Sequence, residues 1–311
     1  MGELKHIREV ITECLVSIDR ARHSDRLICG LPTGFLDLDK LTTGFYSGDL
    51  VVVAGRPGVG KSGFMLSVAS YLVFSWDVPV AVFSLETTKR QLMFRLFSVL
   101  SGFSLWNIRM GFLGEKEWEE LVGLGMKLSQ RPFYVDDSPR LSIVELRERS
   151  KRLREEKGIE VIFVDYLQLL RGPFVRHTRQ EEVAEVSMEL KALAKELQIP
   201  VVALSQLSRQ VEQRRGKRPQ LADLRESGQI EEVADIVIFI HRPSAYELLP
   251  SPEEEGVAEV ILAKNRHGPT GIVKLAFDKK TTAFRNYMGH LWRREEIEGE
   301  EEFPEDFDLD F

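Results

Sequence analysis

The chain has only two cysteines in 311 residues, Cys14 and Cys29, and they form neither a CxxC pair nor a zinc-like spacing. A disulfide framework and a structural zinc site are therefore not expected, and both residues read as plain thiols. The six histidines make no HExxH or triad pattern, so none is assigned chemistry. No uninterrupted apolar run approaches the ~18 residues that a membrane-crossing helix needs. No charged-then-apolar leader opens the chain either, so neither export nor a membrane partner is expected and the location read from the sequence is cytoplasmic.

A basic excess, the usual mark of a nucleic-acid binder, is also missing, because the net charge is −7. Ten of the 49 acidic residues, however, lie in EEIEGEEEFPEDFDLDF, from Glu295 to Phe311, which has no Lys or Arg. The remaining 39 face 42 basic residues, leaving a slightly basic body. Residues 295–311 are expected to be an acidic disordered tail. Two readings of it stay open: a solubilising end, or a segment that competes with nucleic acid or docks a partner through Phe303, Phe307 and Phe311.

At the other end, Leu4, Ile7, Val10, Ile11, Cys14, Leu15 and Ile18 recur at helical spacing, with charged residues mostly opposite. Residues 1–24 are thus expected to form an amphipathic helix, joined through the polar, glycine- and proline-punctuated ARHSDRLICGLPTG to a main body over 25–294. It packs either on its own domain or on a neighbouring subunit. The body alternates short apolar runs, at 49–55, 78–86, 159–166, 199–206, 234–241, 258–265 and 271–278, with segments long enough for helices. Continuous rather than alternating hydrophobicity marks the strands as buried on both faces. The expected fold is α/β: a mostly parallel twisted sheet with helices on both faces and a C-terminal β-hairpin.

The first strand runs into GRPGVGKS, Gly55 to Ser62, which fits the phosphate-loop pattern G-x-x-x-x-G-K-[ST] between a strand and a helix. A chance match is expected on the order of once in a hundred sequences of this length. Glycines here let backbone N–H groups curl around phosphate oxygens, and the helix N-terminus adds positive dipole. Gly55, Arg56, Pro57, Gly58, Val59, Gly60, Lys61, Ser62 and Gly63 are therefore the candidate nucleotide-binding residues. Lys61 is placed to reach the β- and γ-phosphates of ATP, and the Ser62 hydroxyl to ligate Mg²⁺.

Three polar residues close later apolar strands, at the end where open α/β sheets bind ligands. Asp165, ending VIFVD, is the candidate second metal-side acid; alone, such a pattern is also a common strand-end turn. Glu86, after VAVFSL, could orient and deprotonate an attacking water, or could simply be an acid favoured by a helix N-terminus. Gln206, ending VVALSQ, could sense the γ-phosphate and relay its loss.

Taken in order, GLPTGFLDLDKLTTGFYSGDLVVVAGRPGVGKS, VFSLE, IFVDYLQLL, VVALSQLSRQVEQRRGKRPQLADLRESGQIEEVADIV and LAKNRHGPTG resemble the C-terminal RecA-like motor of DnaB-type replicative helicases. The likeness spans Leu31 to Tyr287. It implies a RecA-like P-loop NTPase, a homohexameric ring that hydrolyses ATP with Mg²⁺ and moves along single-stranded DNA through a central channel at replication forks. It also implies that Lys61, Ser62, Asp165, Glu86 and Gln206 hold the roles just described. LRESGQ resembles the family's DNA-facing loop, which puts Arg225, Glu226 and Gly228 on the phosphate backbone. The preceding RQVEQRRGKRP reads as a mobile basic loop whose Arg209, Arg214 and Arg215 are either solvated or add sequence-blind phosphate contacts. Members of the family carry an N-terminal domain ahead of the linker helix, whereas this sequence starts at that helix. A helicase loader is an expected partner, and primase one that depends on that domain.

One pair of cations remains. Lys264 and Arg266 stand at i,i+2 in the strand VILAKNRHGPTG and share a face just before a Gly-Pro turn. Phosphoryl transfer needs cations to meet charge developing on the γ-phosphate, often from a neighbouring subunit. Arg266 is the expected trans-acting arginine finger and Lys264 its assistant.

Overall fold

The computed structural model describes residues 6–22, 28–172, 178–214, 216–227, 229–246 and 256–288. The acidic segment 295–311 lies outside the described residues. The helix α1 (Ile7–Arg22) forms within the stretch read as amphipathic, and its Ile7, Ile11, Leu15 and Ile18 are exposed. After it comes the short helix α2 (Leu36–Thr42), and then the sheet begins.

The strands are β1 (Leu50–Gly55), β2 (Val80–Ser84), β3 (Phe133–Asp136), β4 (Val161–Asp165), β5 (Val201–Gln206), β6 (Ile236–His241), β7 (Val257–Asn265), β8 (Gly271–Phe277) and β9 (Phe284–Asn286). They form one sheet in the order β3-β2-β4-β5-β1-β6-β7-β8-β9. The pairs from β3 through β6 are parallel, and β7, β8 and β9 join antiparallel. All seven strands expected from sequence are present. β3 and β9 were not anticipated: they are edge strands of four and three residues, too short to show a pattern. Because β9 pairs with β8, the β7–β8 hairpin does not itself form the sheet edge.

The central strands have two cores because successive side chains point to opposite faces. Val51 and Val53 of β1, with Val82 and Phe163, pack with α3 (Lys61–Ser75) and with Leu92 and Leu96 of α4 (Lys89–Ser101). Leu50, Val52 and Ala54, with Ile162 and Val164, pack with Leu146 of α7 (Ile143–Lys157) and Leu190 of α8 (Arg179–Leu197). This is the physical source of the uninterrupted apolar runs. Between α4 and β3 lie α5 (Leu105–Met110) and α6 (Glu115–Ser129), and α9 (Gln229–Val233) precedes β6. Thr88, Ser142 and Thr178 cap α4, α7 and α8 in reciprocal capping boxes with Gln91, Glu145 and Glu181, each cap worth about 1 kcal/mol. Among the described residues, no helix is long and apolar enough to cross a membrane.

Candidate nucleotide-binding site

Residues 55–62 connect β1 to α3 with two glycines in the left-handed region, Gly58 at φ 78° and Gly60 at φ 106°. A Cβ on Gly60 would also meet the rings of Phe277 and Phe284 at 2.9 Å, so both backbone angle and space require glycine there. Lys61 opens α3, and its Nζ donates to the carbonyls of Gly55 (3.0 Å) and Arg56 (3.2 Å). Burial pulls the Lys61 ammonium down to about 8, against the opposing attraction of Asp165 and Glu86. A half-buried ammonium whose hydrogen-bond acceptors are neutral carbonyls is a ready partner for an anion.

Asp165 ends β4, is buried, and accepts the Ser62 hydroxyl through Oδ2 at 2.7 Å. Burial pushes its carboxyl up, with the Ser62 bond opposing and Glu86 adding to the rise. The two groups converge as hard oxygen ligands at a helix N-terminus, which fits Mg²⁺. Among the described residues, no group of three or more His, Cys, Asp or Glu could hold a metal. Mg²⁺ beside a nucleotide takes most of its ligands from phosphate oxygens and water, so one or two protein oxygens suffice. Glu86 lies two residues past β2, exposed, where Ser84 pairs with Asp165 and Leu85 N–H donates to the Asp165 carbonyl at 2.7 Å. Gln206 ends β5 directly opposite Gly55, also exposed. Its backbone is held from both sides by Gln168, whose Nε2 donates to the Gln206 carbonyl (3.1 Å) and whose Oε1 accepts its N–H (3.2 Å). Lys61, Ser62, Asp165, Glu86 and Gln206 thus gather at one end of adjacent strands.

Two residues at this end escaped sequence reasoning. Arg242, just past β6, donates to the Gly58 carbonyl at 3.3 Å and lies over the Phe277 ring, 3.8 Å from its centroid. Both are buried, so the pair braces the loop from the β6–β8 side. No motif marks them, because their meeting depends on β6 and β8 being brought beside the loop by the strand order.

Lys264 and Arg266 lie elsewhere. Lys264 on β7 pairs with Val237, and Ile236 beside it pairs with Val51, so they stand at the starting end of β1. Five residues of strand separate that end from the loop, about 16 Å, and neither side chain reaches the chain's own phosphate loop. Both cations cover the carbonyl end of α9: Lys264 Nζ donates to Glu231 O (2.6 Å) and Glu232 O (3.1 Å), and Arg266 to Glu232 O (2.7 Å). Arg266 also meets the buried Asp235 at 3.3 Å. Burial pulls the Lys264 ammonium down, with Arg266 adding to the fall.

The basic segment is folded rather than loose. Residues Arg209–Gln213 form a 3-10 turn pinned by the fully buried Val211. Arg209 is exposed, but Arg214 is committed to both Asp223 oxygens at 2.9 Å, and Arg218 grips Glu259. The Arg214 guanidinium is thus engaged within the chain. Arg225 and Glu226 fall in the 3-10 stretch Leu221–Ser227, while Arg215 and Gly228 lie outside the described residues.

A glycine loop between a central parallel strand and a helix, with a hydroxyl and a strand-end acid bonded across it, defines a P-loop NTPase fold. The comparisons narrow the class: residues 30–286 match the DnaB-like helicase C terminal domain. The chain belongs to that family. It is 42% identical over 286 residues to "Replicative DNA helicase DnaB" of Geobacillus stearothermophilus, covering 92% of this chain and 63% of that protein. It is 43% identical over 283 residues to "Replicative DNA helicase DnaC" of Bacillus subtilis (strain 168), covering 91% and 62%. Among solved structures, one described as an ATPase domain superposes with a TM-score of 0.85 at 36% identity, covering 92% of this chain and all of that one. A DnaB-like replicative helicase described with its interactions with primase gives 0.81 at 34% identity, covering 92% and 68%. The chain spans a little over three fifths of the length of the curated relatives it matches.

Proposed function

We propose that this chain is the ATP-driven motor of a replicative DNA helicase, working as a homohexameric ring that moves on single-stranded DNA. The observation that carries the ring reading is the separation of Lys264 and Arg266 from their own phosphate loop by the length of a strand. Cations of this kind serve phosphoryl transfer only where they meet a γ-phosphate, so each ATP is completed by two copies of the chain. Within one copy, the backbone of 55–60 and Lys61 hold the phosphates. Ser62 and Asp165 would hold Mg²⁺, which neutralises charge on the phosphates when bound. Glu86 orients and deprotonates the attacking water, and Gln206, opposite Gly55, senses the γ-phosphate. Arg266 of the adjacent copy, assisted by Lys264, stabilises the transferring phosphoryl group.

DNA is assigned to the segment from Arg209 to Gly228. Arg209, Arg215 and Arg225 meet phosphates by charge, Glu226 and Gly228 do so by backbone N–H, and Arg214 acts by holding the segment to Asp223. The exposed apolar face of α1 is assigned to an apolar groove on the next copy among α4, α5 and α6, lined by Phe94, Phe97, Leu113 and Trp118, where docking would help close the ring. Primase and a helicase loader are the proposed partners of the assembled protein, primase because one structural relative is described with its interactions with primase.

The test is unwinding of a forked duplex with ATP and Mg²⁺. The chain is expected to separate the strands, while Lys61→Ala does not. Intact ATP hydrolysis without unwinding would remove the helicase assignment.

A further inference from the structure

Arg56, the second residue of the phosphate loop, points its side chain away from the loop. Arg56 is buried, and all three nitrogens of its guanidinium face one segment. Nε donates to Glu212 Oε1 at 2.7 Å, with Nη2 paired to the same oxygen at 2.7 Å, and Nη1 donates to the Leu207 carbonyl at 2.7 Å. The Leu207 N–H returns a bond to the Gly55 carbonyl at 3.2 Å. The start of the loop is therefore stitched at three points to the chain that leaves Gln206.

That chain leads to the segment assigned above to DNA. Glu212 sits in the 3-10 turn with Val211 buried beneath it. Arg214, two residues on, forks onto Asp223, which also accepts the Gln220 N–H at 2.7 Å and stands two residues before Arg225. On the other side, Lys61 rests on the Gly55 and Arg56 carbonyls. A lysine ammonium has three N–H donors, so the Gly55 and Arg56 carbonyls share one ammonium with any phosphate that enters the loop. A half-buried ion pair is weak evidence for stability, since apolar packing would brace a loop as well. Its value lies in fixing one geometry between two segments.

We propose that Arg56 and Glu212 form the link through which the phosphate loop and the 207–227 segment sense each other's state, with Arg56 a positioning residue rather than a ligand. The DNA half of this link rests on the reading of 209–228 given above. Energetic coupling between sites is reciprocal and falls typically in a range of about 5–150-fold.

The test uses the full chain with Glu212→Gln, which keeps the side-chain size and removes the charge. Three quantities are read: ATP hydrolysis without DNA, hydrolysis with saturating oligo-dT, and amide exchange of the 207–214 peptide with and without a non-hydrolysable ATP analogue. DNA-free hydrolysis is expected to stay within about twofold of the parent while stimulation by DNA drops at least ~5-fold. The nucleotide-dependent change in exchange is expected to be lost. Glu212→Asp, which keeps the charge and shortens the reach, is expected to fall between the two, and it carries the same comparison should the Gln variant fail to fold. Unchanged stimulation and unchanged exchange response would overturn the link while leaving the DNA reading intact. An equal fall in DNA-free and DNA-stimulated hydrolysis would also overturn it, since the pair would then be a plain brace. A parent chain that DNA does not stimulate, but whose nucleotide-dependent exchange is lost in Glu212→Gln, would support the link and remove the DNA reading.

Discussion

Lys61 and Arg266 are both cations proposed for the same phosphate, yet their surroundings differ. Lys61 is half-buried against neutral carbonyls at the tip of its own β1, whereas Arg266 is half exposed at the far end of the strands. Their variants should separate accordingly. Lys61→Ala is expected to abolish nucleotide binding, measured by a fluorescent ATP analogue. Arg266→Ala should bind nucleotide within a few-fold of the parent but hydrolyse it about 10³-fold more slowly, the lower end of what arginine fingers contribute. Normal hydrolysis by Arg266→Ala would return the Lys264 and Arg266 pair to covering the carbonyl end of α9. At this scale the sequence was informative where chemistry imposes a fixed spacing. The glycines, Lys61 and Ser62 are legible because a phosphate loop needs them in that order, and Asp165 because an acid closes an apolar strand. Arg242, Phe277 and Glu212 were invisible, since each makes its contact with a partner far away in the chain.

Among the elements, the strands and the loop are tied together by contacts that leave no room for a side chain. A Cβ on Gly63, in the first turn of α3, would meet the carbonyl oxygen of Thr282 at 2.1 Å, a backbone atom in the turn between β8 and β9. Gly63→Ala must push α3 away from that turn, at a cost of about 2 kcal/mol. A drop in Tm of about 4–8 °C is expected on thermal unfolding; an unchanged Tm would mean that the turn yields freely. Element type was readable wherever burial on both faces forced unbroken apolar runs, and helices α7 and α8 from the long segments left between those runs; their caps, Ser142 with Glu145 and Thr178 with Glu181, are seen in the structure. The region from α4 to β3 was not, because its helices carry exposed Trp106, Met110, Trp118 and Met126 among buried apolar residues and blur the period. The order β3-β2-β4-β5-β1 was equally unreadable, since sequence patterns give strands without neighbours.

For the whole molecule, the proposed ring rests on two features of a single chain. The apolar face of α1 is exposed among the described residues, and the two cations stand a strand's length from their own nucleotide site. Head-to-tail contacts of one patch with a different patch generate rings when the rotation closes. A ring built in this way places Lys61 of one copy opposite Arg266 of the next at every interface. The most direct measurement mixes Lys61→Ala with Arg266→Ala, each inactive alone, and follows ATP hydrolysis as the copies exchange. Random mixing restores about a quarter of the interfaces, those that join an intact phosphate loop to an intact Arg266, so hydrolysis should reappear on mixing. Mixed assemblies that form and remain inactive would contradict a site shared between copies.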